Sequence, residues 1–118
     1  MQSTSLAGRS ILIVEDEPLI ALDIVGAFQE AGAVALIARS LADAIRLVEH
    51  GEVSAAVLDF GLGDGDSDAV CRRLAERGIP FVLHSGYTRH GLACGTGTVV
   101  PKPASPVKLI ETVAGLLR

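Results

Sequence analysis

Five positions carry the chemistry this chain can do, and each follows a short apolar run. Glu15 and Asp16 follow Ile11-Leu12-Ile13-Val14, Asp59 follows Ala55-Ala56-Val57-Leu58, Ser85 follows Phe81-Val82-Leu83-His84, and Lys102 follows Val99-Val100-Pro101. Three carboxylates brought together repel one another and raise each other's pKa unless a cation holds them. An all-oxygen set suits a hard ion such as Mg2+, which binds about six oxygens and keeps several waters. With a cation and the Lys102 ammonium drawing charge from a transferring group, a carboxylate can act as the nucleophile toward phosphorus and form an acyl phosphate. Such catalysis is positioning plus electrostatics.

These residues are far apart in sequence, so the elements between them must bring them together. Ser10–Val14 is β-branched and continuously apolar, the pattern of a strand buried on both faces. Ile20, Ile24 and Phe28 then recur every four residues, with Pro18 suited to a first helical turn and Gly32 to a C-terminal cap. The unit repeats. Val34–Ala38 reads as a strand, and Ser40 as an N-cap with Asp43 three residues on, ahead of a stripe of Leu41, Ala44, Ile45 and Val48 that ends at Gly51. A third strand ends at Asp59, a Gly-rich loop spans Gly61–Gly65, and a helix is expected from about Ser67 to Arg77. Phe81–Leu83 is a fourth strand and Val99-Val100 a short fifth. A last helix starts near Ser105-Pro106 with Val107, Ile110, Ala114 and Leu117 as its buried stripe. The stretch Thr88–Gly97 shows no helical stripe, so a fourth helix there is expected to be short or mobile.

Alternation of buried strands with helices predicts an α/β fold: a doubly wound, five-stranded parallel sheet of flavodoxin-like type. Ligands of such sheets bind beyond the carboxyl ends of the strands, where strand order reverses. Every polar station above falls at one of those ends.

Composition narrows the classes. The chain has 118 residues, 49% of them hydrophobic and 20% charged, enough for one core and too little charge for disorder. Residues 1–9 are read as an N-terminal tail and 10–118 as one domain. A net charge of -4 without a Lys/Arg run argues against a direct nucleic-acid partner, and no apolar stretch reaches the length of a membrane span. With no signal-peptide pattern at the start, a cytoplasmic location without membrane insertion is expected. Cys71 and Cys94 have neither CxxC spacing nor a disulfide-rich frame, so both are expected to be reduced and structural.

The motifs Ile11–Glu17, Val57-Leu58-Asp59, His84-Ser85-Gly86 and Pro101-Lys102-Pro103 resemble the response-regulator receiver domain of two-component phosphorelays along nearly the whole chain. The resemblance implies a strand order of 2-1-3-4-5. It implies Asp59 as phosphoacceptor, Asp16 as a direct Mg2+ ligand, Glu15 as a water-mediated one, and the Gly61 carbonyl as a further ligand beside Asp59. Ser85 and Lys102 would bind the phosphoryl group, and Lys102-Pro103 would be a cis peptide. The partners implied are a histidine kinase or a histidine phosphotransfer protein, with a downstream protein the residues do not specify. Phosphorylation would switch the face running from the fourth strand to the last helix. Two departures stand out. Val99 replaces the usual strand-five aromatic, and Tyr87 is similar to the tyrosine of the subgroup with a Phe-Ala-Thr-Gly-x-Tyr motif, which makes Ser85 and Tyr87 the switch candidates.

Two other readings remain open. A pseudo-receiver would bind a partner without phosphorylation. A small aspartyl-phosphate phosphatase would need a general-acid Asp two residues after the nucleophile, where Gly61 stands. His84, with no second His or Cys at ligand spacing, reads as a polar strand-end residue.

Overall fold

The apolar run that opens the chain forms strand β1 (Ser10–Val14), with Ile11 to Val14 all buried. The coordinates are a computed structural model and describe residues 6–60, 67–85, 94, 97–102 and 104–117, with the side chains of Asp59, Phe60 and Ser85 outside that description. After β1 come α1 (Pro18–Glu30), β2 (Val34–Ala38), α2 (Leu41–His50), β3 (Ala55–Phe60), α3 (Asp68–Glu76), β4 (Phe81–Ser85), β5 (Thr98–Pro101) and α4 (Pro106–Leu116). The strands form one sheet in the order β2-β1-β3-β4-β5, and every adjacent pair is parallel. The expected order and fold class are those observed. The short or mobile fourth helix was expected in a stretch that lies, apart from Cys94 and Gly97, outside the described residues.

A buried parallel sheet needs cover on both faces, and successive side chains of each strand alternate between them. On one face Ile11, Ile13, Val57, Val82 and Val100 pack with Ile24, Val25 and Phe28 of α1 and with Leu109, Ile110 and Val113 of α4. On the other, Leu12, Val14, Leu58, Phe81 and Leu83 pack with Leu41, Ala44 and Val48 of α2 and with Val70, Cys71 and Leu74 of α3. Leu6 joins the first layer, and its N–H donates to the Ala31 carbonyl at 2.8 Å.

The helix ends follow their local chemistry. Ser40 Oγ accepts from the Asp43 N–H at 3.1 Å, as a cap with a polar third residue should. Gly32, just past α1, has φ +95°, a left-handed conformation that glycine adopts without strain. Two helical stripes differ from expectation. Val107 is 61% exposed and Leu117 half-buried, while α4 buries the expected Ile110 and Ala114 together with Leu109 and Val113. On α1, Ile20 is exposed and Ala21 takes its inward place beside Ile24, Val25 and Phe28. In α4 the buried face is made of two adjacent pairs four residues apart, and in α1 of Ala21, Ile24, Val25 and Phe28, each a wider stripe than a single i, i+4 row.

Helix α3 is held to α2 by charge as well as packing. Arg73 makes a two-pronged pair with Glu49, Nη2 to Oε1 at 2.8 Å and Nε to Oε2. Arg77 Nη1 donates to the carbonyls of Val48 and Glu49 at 2.8 and 3.0 Å. The hydrogen bond from Arg73 holds the Glu49 carboxyl below its ordinary value of 4.5. A carboxyl lowered in the folded state adds stability that is whole above the unfolded value and disappears as pH falls through the folded one. Urea titrations between pH 7 and pH 3 should therefore show a shallower acid loss for Glu49→Gln than for the unaltered chain.

At the end of the β4–β5 connection, a Cβ on Gly97 would lie 2.7 Å from Cδ2 of the buried Phe81 ring. Gly97→Ala must displace that ring, and thermal unfolding should report a loss of about 1–3 kcal/mol.

Candidate functional site

The register places the polar stations on one rim. Val14 of β1 lies opposite Leu58 of β3, so Glu15 follows β1 where Asp59 continues β3. Asp59 pairs with His84 and Phe60 with Ser85 across β3 and β4. Ser85 in turn pairs with Pro101 of β5, and Lys102 is the next residue. Four strands thus end together, with Glu15, Asp16, Asp59, Ser85 and Lys102 at their carboxyl ends. This is the rim on which a doubly wound sheet binds its ligands, because β1 and β3 are neighbours whose crossovers lead to opposite sides.

Glu15 and Asp16 are adjacent but differently placed. Glu15 is only 1% exposed, whereas Asp16 is exposed to solvent. Glu15 Oε2 accepts from the Glu17 N–H at 3.0 Å, and the Glu15 N–H donates to the Ala38 carbonyl at 3.0 Å. The carboxylate therefore fixes the turn that carries Asp16 and starts α1. Among the described residues no three His, Cys, Asp or Glu side chains cluster at metal-binding spacing; the Asp59 side chain is outside that set. What Glu15 and Asp16 do present is paired oxygen donors, one sequestered and one open, which is hard-ion chemistry. Gly61 and Tyr87 lie outside the described residues, as does Pro103 with its expected cis bond.

His84 is buried, 8% exposed, between Asp59 of β3 and Val100 of β5 in the register, so it is more enclosed than a polar strand-end residue. The two-residue period of β4 puts it on the face of Val82, toward α1 and α4.

A parallel five-stranded sheet in the order β2-β1-β3-β4-β5, with acids, a hydroxyl residue and a lysine at its carboxyl rim, is a flavodoxin-like fold. Within it, the chain belongs to the response regulator receiver domain family, whose model matches residues 11–114. It is a receiver domain of two-component systems, and accepting a phosphoryl group is the standard function of this family. It is 30% identical over 126 residues to the sensor kinase CckA of Brucella abortus (strain 2308), a match that covers 98% of this chain and 13% of that protein. The chain thus spans about an eighth of that curated relative's length. The signal receiver domain of a signal transduction histidine kinase from Syntrophus aciditrophicus superposes with a TM-score of 0.82 at 28% identity, over 93% of this chain and 90% of that one. The response regulator TrrA of Thermotoga maritima, solved in complex with Mg2+-BeF, superposes with a TM-score of 0.82 at 24% identity, over 92% and 99% of the two chains.

The cysteines overturn one expectation. Cys71 and Cys94 are joined in a disulfide, with Cα atoms 5.0 Å apart, and no cysteine is free. Their separation of 23 residues gave no local signal. Only tertiary packing brings them together, and both belong to the layer that includes Leu74, Phe81 and Leu83.

Removing the Glu15 carboxylate should loosen the turn it organises. Glu15→Ala is expected to lose about 1–3 kcal/mol in urea denaturation, because the Glu17 N–H loses its acceptor, while Glu15→Gln retains a side-chain carbonyl there and should recover much of it.

Proposed function

We propose that Asp59 is the phosphoacceptor of this receiver. The observation that carries this reading is the register, which sets Asp59 at the rim beside Glu15-Asp16 on one side and Ser85 and Lys102 on the other. The donor is the phosphohistidine of a histidine kinase or histidine phosphotransfer protein. An Asp59 carboxylate oxygen attacks phosphorus as the bond to the donor nitrogen breaks, leaving an aspartyl phosphate.

Asp16 and Asp59 would hold Mg2+ directly, with the Gly61 carbonyl, and Glu15 through a water. The Mg2+-BeF complex of the Thermotoga maritima relative supports this choice of ion. When bound, the ion supplies charge neutralisation for the transferring phosphoryl group. Buried Glu15 keeps Asp16 aimed outward through the Glu17 N–H. Lys102 pairs with Asp59 before transfer and with phosphoryl oxygens after it, and the Ser85 hydroxyl donates to those oxygens. The same groups serve the reverse loss of the phosphoryl group to water, so the receiver catalyses its own phosphorylation and dephosphorylation.

The added charge draws Ser85 and Lys102 inward and, through Ser85 and Tyr87, biases the face from β4 to α4. A switch from 1:99 to 99:1 needs about 5.5 kcal/mol of differential stabilisation. Leu19 and Leu22, both well exposed on the first turns of α1 beside the acidic pair, offer the donor protein an apolar contact. The net charge of -4 disfavours direct contact with nucleic acid. Among the described residues no helix is long and apolar enough to cross a membrane. We place the receiver, residues 10–118, in the cytoplasm with its phosphodonor.

Incubation with Mg2+ and acetyl phosphate, followed by intact-mass measurement, tests the assignment. The unaltered chain should gain one phosphoryl group and folded Asp59→Asn none. Labelling of Asp59→Asn would move the acceptor elsewhere, and no labelling of the folded, unaltered chain by several donors would favour a phosphorylation-independent binding module.

A further inference from the structure

We propose that Cys71 and Cys94 are a reversible redox modification site, one that ties Cys94 to α3 and is written and erased by small-molecule disulfides and dithiols. The placement of the pair carries the inference. Cys71 sits mid-helix in α3, 0% exposed, and Cys94 sits in the connection between β4 and β5, 1% exposed. The helix is the fixed partner, seated through Val70 and Leu74 and tied to α2 by Arg73 and Arg77. Cys94 also packs in the apolar layer of Val70 and Leu74, and its sulfur lies 3.7 Å from the Ser67 carbonyl, just before α3 begins.

The bond also closes a ring around the reactive rim. From Cys71 the chain runs back to Asp59 in β3, crosses to His84 in β4 by their pairing, and returns through Ser85 and the connection to Cys94. A covalent link here joins the segment leaving the Asp59 strand to the segment leaving the Ser85 strand. It therefore restrains Cys94, nine residues after Ser85 in the chain, and so bears on a phosphorylation-driven shift of Ser85. That consequence rests on the phosphoacceptor reading; the redox site itself does not.

The exchange balances without any other reactant. One cysteine thiolate attacks a sulfur of an incoming low-molecular-weight disulfide and expels a small thiolate, leaving a mixed disulfide. The second cysteine thiolate then attacks the protein-side sulfur and expels the second small thiolate. Two protein thiols have lost two electrons and two protons, and the small disulfide has become two small thiols. A dithiol reverses both steps. In a reducing cytoplasm such bonds are transient and redox-sensing as a rule, which is the class this pair fits. Because both cysteines are buried, exchange needs Cys94 to separate from α3, and its rate reports that opening. By linkage, any state of the rim that draws Cys94 from α3 also favours reduction, and reduction favours that state in return.

The experiment compares the unaltered chain with itself, equilibrated with oxidised glutathione or with dithiothreitol, so no variant has to fold. Alkylation under denaturing conditions followed by intact mass counts free thiols. Hydrogen exchange read by mass spectrometry follows residues 86–97, and thermal unfolding gives Tm. The oxidised form should show no free thiol, exchange about tenfold slower in 86–97, and a Tm higher by on the order of 10 °C, as expected for cross-linking a loop of this length. Cys94→Ala, kept as a control, should match the reduced form under both conditions. Two alkylated thiols after equilibration with excess oxidised glutathione would overturn the proposal, as would equal exchange in the two forms. Acetyl phosphate labelling of both forms separates the two readings: a working redox clamp with no labelling in either form sinks the phosphoacceptor assignment and leaves the clamp standing.

Discussion

The register of β3 between β1 and β4 is the constraint on which everything else depends. A strand alternates its side chains between two faces, so a slip of one residue would exchange the sets that face α1 and α4 with those that face α2 and α3. Val57 belongs to the first layer and Leu58 to the second, and both layers are apolar and closed. Neither position alone fixes the register, since both are aliphatic. Ala55 and Ala56 at the start and the polar residue Asp59 near the end do so, because only this alignment buries the small pair and leaves the acid at the rim. The reactive geometry is thus tied to core packing, since the alignment that buries Ala55 and Ala56 is the one that sets Asp59 at the rim.

Much of this was legible in the sequence because the signals were local. Continuous apolar runs marked β1, β3 and β4, and Ser40 with Asp43 marked the start of α2 through a bond the fold then makes. The placement of the acidic pair, Asp59, Ser85 and Lys102 followed from one rule about strand ends. What was illegible depended on tertiary contact. Val107 and Ile20 read as buried because a fixed spacing of three or four residues catches them, yet the angle at which each helix lies on the sheet turns them outward. Nothing near Cys71 or Cys94 in the sequence announces that the two will meet. His84 reads as an ordinary end of a strand, and it is enclosed because it lies inside the sheet, between β3 and β5, on the face of Val82.

The two faces of the sheet have different mechanical characters. The α1 and α4 layer is held by aliphatic packing and by backbone bonds such as that from Leu6 to Ala31. The α2 and α3 layer adds a two-pronged ion pair at its outer edge and a disulfide at its inner edge. Arg73 and Cys71 are two residues apart on α3, so the helix is fixed on one side by charge and on the other by a covalent bond. Those two fastenings answer to different solution variables, acidity for one and thiol potential for the other, while packing answers mainly to temperature and denaturant.

The N-terminal strap has an architectural meaning. Leu6 is buried against the base of the sheet, and the Arg9 guanidinium donates to the Leu117 carbonyl at 3.3 Å. The start of the described chain and its last helical turn therefore meet on the side of the molecule away from the acidic rim. A polypeptide can lead in and out at one place, like the two leads of a plug, without crossing the working surface. Such an arrangement leaves the rim clear of both ends of the described chain.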